Sequence, residues 1–368
     1  MPVTIFLCGD VMTGRGIDQA LPHPSDPRIH EPYMRDARGY VEIAESAFGP
    51  IPRPVGFSYV WGGALAELER VKPDVRLINL ETSITTSDDY WKGKGINYRM
   101  HPGNVPVLTA ARIDAVSLAN NHVLDWGYAG LSETIETLRK AKVKYAGAGR
   151  NSAEAEAPAM IETSGAGRVI FFSFGSETSG IPRAWAATAD RPGVNLLSDL
   201  SDRAVSRIRQ QVERVKRKGD VAVASIHWGP NWGYEIPREQ RQFSRALIDE
   251  AGVDVIHGHS SHHPKGIEVY RGRPILYGCG DFLNDYEGIS GYEFFRGDLG
   301  LMYFARMEAA TGTLLELTMT PTQVRKFRVQ RAGRGDAQWL GDVLSREGKA
   351  LGTRVEIDKD NRLALRWD

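Results

Sequence analysis

Short runs of apolar and β-branched residues recur along most of the chain, at Val3 to Cys8, Val75 to Ile78, Ala115 to Leu118, Val169 to Ser173, Val221 to Ile226, Val253 to Ile256 and Ile275 to Tyr277. Runs of this length without polar alternation predict strands buried on both faces. Between them, Ala64 to Val71, Leu131 to Ala141, Ala204 to Val215 and Arg238 to Ala251 carry helical spacing. In the last of these, Phe243, Leu247 and Ile248 share one face and Pro237 suits the first turn. Strands alternating with helices predict an α/β fold in which helices flank a mainly parallel sheet.

The pattern changes after residue 298. Leu299 to Ala305, Leu314 to Met319 and Val324 to Val329 read as strands, with a turn at Ala310-Thr311-Gly312-Thr313. A helix at Trp339 to Lys349 and a hairpin around Asp358-Lys359-Asp360-Asn361 follow. The expected organisation is a main domain over 1–305 and a tail over 306–368 that completes a second sheet. Two segments are expected to lack regular structure. Residues 21–60 hold Pro22, Pro24, Pro27, Pro32, Pro50, Pro52 and Pro54 among aromatic residues, the composition of an ordered, lid-like insertion. Gly175 to Gly193 contains Ile181-Pro182-Arg183-Ala184-Trp185, a second candidate wall for a substrate.

Composition narrows the classes. A chain of 368 residues, 42% hydrophobic and 25% charged, has enough apolar content for a large core. Lys plus Arg and Asp plus Glu both total 46, so no global field attracts nucleic acid or an anionic membrane. Cys8 and Cys279 are the two cysteines, which excludes a disulfide framework and a cysteine-rich zinc site. The first residues lack the basic and apolar regions of a signal peptide. No apolar run approaches the roughly eighteen residues needed to cross a bilayer. The expectation is a cytoplasmic protein without a membrane anchor.

The polar residues fall at strand ends. Asp10 follows the first strand, and Asn79 and Glu81 the second. Asn120, Asn121, His122 and Asp125 follow the third, His227 follows Ser225-Ile226, and His257, His259, His262 and His263 follow Val253 to Ile256. The carboxyl ends of parallel strands share one edge, where α/β proteins build their sites. Asp10, Glu81, Asn121, His122, His227, His259 and His262 therefore converge as oxygen and nitrogen donors suited to a divalent metal. Buried without a cation, the two acids would each face a desolvation penalty of several kcal/mol.

Gly9-Asp10-Val11-Met12, Asn79-Leu80-Glu81-Thr82, Ala119 to Gly127 with Asn120-Asn121-His122, His227-Trp228-Gly229 and Gly258-His259-Ser260-Ser261-His262 resemble the motif series of the CapA-type, poly-γ-glutamate synthesis family. The run from Gly266 through Pro274-Ile275-Leu276-Tyr277 to Gly280-Asp281-Phe282 extends the match. That family is similar to the calcineurin-like metallophosphoesterases, whose fold is a two-layer β-sandwich flanked by helices around a dinuclear metal centre. The resemblance implies that Asp10 and His262 serve one metal, that Glu81 bridges to a second, and that Asn121, His227 and His259 complete the second. It makes His122, oriented by Asp125, the general acid or base, and puts Asn79, Asn120 and His257 behind the ligands as their supports. The sequence also departs from the phosphoesterase pattern. Asp10-Val11-Met12 stands where Asp-x-His is usual, Glu81 replaces an Asp, and Ser260-Ser261 lengthens the last motif by one residue. A thioether is a poor ligand for a hard divalent ion, so one metal position is expected to be weak.

Three functions compete at this stage. In the favoured one, a metal-dependent enzyme acts on a soluble peptide or polyglutamyl substrate by proton transfer at Cα, as in soluble relatives that resemble peptide epimerases. The substrate carboxylate sits on one or two divalent ions, with Mn, Zn, Fe, Mg and Ca all admissible. Arg99 and Lys265 are the candidates to hold carboxylates, and Trp185 and Trp228, with Trp126 and Trp232, to grip a side chain. The alternatives are metal-dependent hydrolysis of a phosphoester or amide, and non-catalytic binding of an anionic polymer.

Overall fold

The computed structural model describes residues 1–165 and 167–368. Two large sheets dominate. In the first, the parallel strands Pro2–Val11, Val75–Leu80, Ala115–Ser117 and Lys144–Ala146 lie side by side in that order. On the other flank of Pro2–Val11 the strands Leu299–Glu308 and Thr313–Arg325 pair antiparallel, followed by the hairpin Thr353–Ile357 and Leu363–Trp367. In the second sheet Arg168–Ser176, Val221–His227, Val255–His259 and Arg273–Leu276 run parallel, with Ile267–Tyr270 antiparallel at the edge.

The side-chain alternation of the strands builds the layers. Along the first strand Val3, Ile5 and Leu7 point into a core that also contains Val75, Phe171, Val223, Val255 and Leu301, so it fills the space between the two sheets. Phe6 and Cys8 point the other way, into a core with Leu68, Leu131 and Ile135 from the helices Gly63–Val71 and Gly127–Lys140. On the outer face of the second sheet Phe172, Ala224 and Ile256 meet Ile208, Phe243 and Leu247 of the helices Asp202–Val215 and Arg238–Asp249. The result is a mixed α/β molecule in which two sheets face each other and helices cover both outer faces. Among the described residues, no helix is long and apolar enough to cross a membrane.

The strand Leu299–Glu308 spans residue 305, and the strands that follow extend the sheet that contains the first strand. Two expectations change. The proline-rich insertion contains a helix, Arg38–Phe48, because no proline interrupts the stretch between Pro32 and Pro50, and Tyr40, Val41 and Ala44 give it a buried stripe. Val324 to Val329 is not one strand. The chain turns at Lys326 and Phe327, both with positive φ, so Thr313–Arg325 pairs with Arg328–Arg331. Glu287 accepts the amides of both turn residues, at 2.7 and 2.6 Å, and holds a turn that lacks the usual Asn-Gly signal.

Candidate metal centre

The carboxyl ends of both sets of parallel strands meet at one place. Asp10 is paired in register with Asn79 on one side and Asp281 on the other, while His227 lies opposite His259 in the second sheet. Gly9 permits the pairing with Asp281. A Cβ there would stand 1.6 Å from the carbonyl oxygen of Gly280, so only glycine lets the two backbones approach this closely.

Two sets of donor atoms result, each with its members within 4.8 Å of one another: Asp10 with His227 and His259, and Asp10 with His262 and Asp281. Asp10 belongs to both. All five side chains are buried. Asn121 Oδ1 lies 3.1 Å from His227 Nε2, and Glu81 Oε1 lies 3.7 Å from the same nitrogen. The supports lie one contact further back. Asn79 donates to Asp10 at 2.8 Å and to Glu81 at 3.0 Å, and is itself held by Asn120 at 3.0 Å. Ser225 Oγ stands between His259 Nε2 and His257 Nδ1, and His257 Nε2 reaches the carbonyl of Cys8 at 2.8 Å.

The electrostatics test whether a cation fits. Burial, reinforced by the charge of Asp281, pushes the Asp10 carboxyl up to about 7, and burial beside Asp10 pushes Glu81 well above the usual carboxylate range. Burial holds His227 and His259 well below the ordinary imidazole value, so both are neutral, the form that ligates. Burial also works against protonated His262, but the Asp281 carboxylate 2.8 Å away outweighs it and raises the imidazole. Buried acids beside the neutral imidazoles of His227 and His259 fit a divalent ion, whose charge would stabilise the Asp10 and Glu81 carboxylates that burial disfavours.

Beside these groups, His122 Nδ1 lies 2.6 Å from Asp125 Oδ2 and its Nε2 is 3.8 Å from Glu81 Oε1. Lys94, which no motif singles out, reaches both His122 Nδ1 at 2.9 Å and Asp125 Oδ1 at 2.5 Å. Burial, then the Lys94 ammonium, lowers the His122 imidazole to about 4. A second buried charge cluster adjoins the site. Arg15, whose backbone has a positive φ, pairs with Glu31 and Asp285 and lies over the rings of Tyr40 and Tyr98, tying the insertion to the loop that follows Asp281.

A family model described as bacterial capsule synthesis protein PGA_cap matches residues 4–286, a span that contains every donor named above. The chain belongs to that family. A probable polyglutamine synthesis accessory protein of Mycobacterium tuberculosis is 49% identical over 364 residues, covering 99% of this chain and 96% of the relative. The PGA biosynthesis protein CapA of Bacillus subtilis is 29% identical over 208 residues, covering 56% of this chain and 52% of its own length. The capsule biosynthesis protein CapA of Bacillus anthracis is 29% identical over 210 residues, covering 56% and 49%. The chain thus spans about half the length of these two CapA proteins.

Several residues expected to bind substrate are engaged elsewhere. The Arg99 guanidinium is buried, bonded to the carbonyls of Ser87 and Asp26 and to Asp88, and stacked 3.8 Å over Trp126, so it braces loops and has no free face for a carboxylate. Lys265 donates to the carbonyl of Glu235 at 2.8 Å, and burial lowers it to about 8. Trp228 is a core residue whose ring N–H bonds the carbonyl of Tyr277 at 3.0 Å. Trp185 is fully buried, edge-on to Trp91. Asp281 is the donor that reasoning from the sequence did not assign. Its signal was present: Cys8-Gly9-Asp10 recurs as Cys279-Gly280-Asp281, and the two copies lie side by side.

Proposed function

We propose that this chain is a metal-dependent acid–base enzyme that acts on a glutamyl polymer or a related peptide by taking a proton from it. The observation that carries the reading is the position of His122 beside the cation-binding groups, with one ring nitrogen on Asp125 at 2.6 Å and the other turned toward Glu81. His122 stands outside both donor sets, and a purely structural ion would not need a free imidazole beside its ligands. A divalent cation bound by Asp10, His227, His259, His262 and Asp281 would supply Lewis-acid polarisation of a substrate oxygen. The remaining work falls to the chain. Burial keeps His122 neutral near pH 7, so it enters as a base, and Asp125 stabilises the imidazolium that forms. The glutamyl or glutaminyl character of the substrate rests on the names of the relatives, which print polyglutamine and PGA.

Proton removal at Cα with return on the opposite face, the isomerase reading, needs a second proton carrier. The Tyr286 phenol, whose ring is 5.4 Å from that of His262, is the group beside the donors for that role. A second reading, cleavage of an amide or phosphoester with His122 activating water, is favoured by Asp281. That carboxylate would supply a ligand at the position which Met12 was expected to leave weak. Incubating the Mn²⁺-loaded chain with poly-γ-glutamate and short glutamyl peptides in deuterated water separates them. Deuterium at Cα without fragments supports isomerisation, and fragments support cleavage. If neither appears while the polymer is retained, the role is one of binding, in line with the word accessory in the relative's name.

A further inference from the structure

We propose that the cleft beside His262 receives an apolar side chain, so that the ligand is a peptide with one bulky uncharged residue next to a free carboxylate and not an unbroken run of glutamates. The inference rests on the reading above for the carboxylate's place at the cation site and adds what lies next to it.

The cleft has a volume of about 540 Å³ and includes His262 in its lining, so it opens beside that donor. Pockets of this size accommodate a small ligand such as one or two amino-acid residues. Its walls are mainly apolar. Trp232 lies parallel to Tyr292, with ring centroids 4.2 Å apart and planes within 5°, and its ring is 5.3 Å from that of His262. Ile289, Phe48 and Val324 continue the surface. Tyr292 and Ile289 remain 52% and 47% exposed, unusual for large apolar side chains grouped at one opening.

Charge decides the occupant. Three arginines line the cleft, and each already has a carboxylate: Arg15 has Glu31 and Asp285, Arg296 has Asp298 and Asp336, and Arg325 approaches Asp298 at 3.5 Å while lying over Phe48. Glu287 and Glu293 add two acids to the lining. A glutamate side chain entering here would lose its hydration, meet guanidiniums already neutralised and lie near like charges. A phenyl or branched aliphatic group would instead cover the exposed parts of Tyr292 and Ile289 beside the Trp232–Tyr292 stack. Of the tryptophans in this chain, Trp232 is the one that lines the cleft next to a donor.

The test is calorimetric titration of the full Mn²⁺-loaded chain with acetyl-Gly-Phe, acetyl-Gly-Glu and the C-terminal amides of both. The Phe acid should bind at least about tenfold more tightly than the Glu acid, the scale set by burying one aromatic side chain. Trp232→Ala and Ile289→Glu, the latter at an exposed position that the fold does not need, should each remove that preference and leave Mn²⁺ affinity unchanged. Equal or tighter binding of the Glu peptides, a preference indifferent to both substitutions, or no peptide binding at all overturns the proposal. If the Phe preference persists but acid and amide bind equally, the subsite stands and the cation–carboxylate reading fails. If acid still beats amide but Phe does not beat Glu, the subsite alone fails.

Discussion

Alanine at Gly9 would place a Cβ 1.6 Å from the carbonyl oxygen of Gly280 and 2.6 Å from its carbon. Unstrained carbon contacts begin at about 3.5 Å, so the Cys279–Asp281 backbone would have to retreat by roughly 2 Å. Neither contacted atom belongs to a flexible side chain, and the strands lie at the centre of the molecule. Overpacking of this kind costs about 1–3 kcal/mol. The retreat also stretches the bond from the Asp10 amide to Gly280 O, now 3.0 Å, a loss of about 1 kcal/mol. The expected destabilisation is therefore about 2–4 kcal/mol, a large part of the stability of an ordinary domain. Because the same displacement carries Asp281 away from Asp10, Mn²⁺ binding at the group with His262 should weaken at least about tenfold. Urea unfolding of the metal-free protein measures the first effect and titration calorimetry the second. Gly335→Ala is the control: nothing lies within 4 Å of its Cβ and the position is helical, so it should stabilise by about 0.5 kcal/mol. A Gly9→Ala protein with unchanged unfolding midpoint and unchanged Mn²⁺ affinity would refute the close-approach argument.

Other outcomes follow from the same geometry. His122→Gln should lower turnover by about 10²–10⁴-fold with Mn²⁺ affinity retained, since His122 stands outside both donor groups; lost metal binding would instead make it a ligand. The Asp10 carboxyl is raised to about 7 in the folded protein against 3.8 as its reference, so the metal-free fold holds an extra proton between these values. That contribution is full below about pH 4 and disappears as pH rises through 7. The metal-free protein should thus lose stability between about pH 4 and 7, and saturating Mn²⁺ should reverse the trend in thermal unfolding scans. Phe171→Ala empties a fully buried position between the two sheets and should cost about 3–5 kcal/mol in urea unfolding.

The strands and helices of the sheet core were legible from the chain because their signal is local. Val3 to Cys8 and Val221 to Ile226 are short apolar runs rich in β-branched residues, too short for a helix, and such runs read as strands buried on both faces. The convergence of Asp10, Glu81, Asn121, His227 and His259 was legible for a related reason. Parallel strands point the same way, so residues just past their ends reach one edge without any knowledge of strand order. Local reading failed where a signal was weak or masked. Prolines on both sides concealed the helix Arg38–Phe48, and the turn at Lys326-Phe327 depends on Glu287, 39 and 40 residues distant.

What the sequence determined by itself, then, was the alternation of elements and the kinds of donor at their ends, because periodicity and residue chemistry are properties of short segments. Only the tertiary structure decided the partners. Asp281 becomes a donor because Gly9 lets its strand lie against the first, Lys94 stands behind His122 because a loop folds over it, and Arg99, Lys265, Trp185 and Trp228 are engaged in packing and loop contacts. Long polar and aromatic side chains bond to whatever the fold brings near. That proximity is set by contacts between residues far apart in the chain.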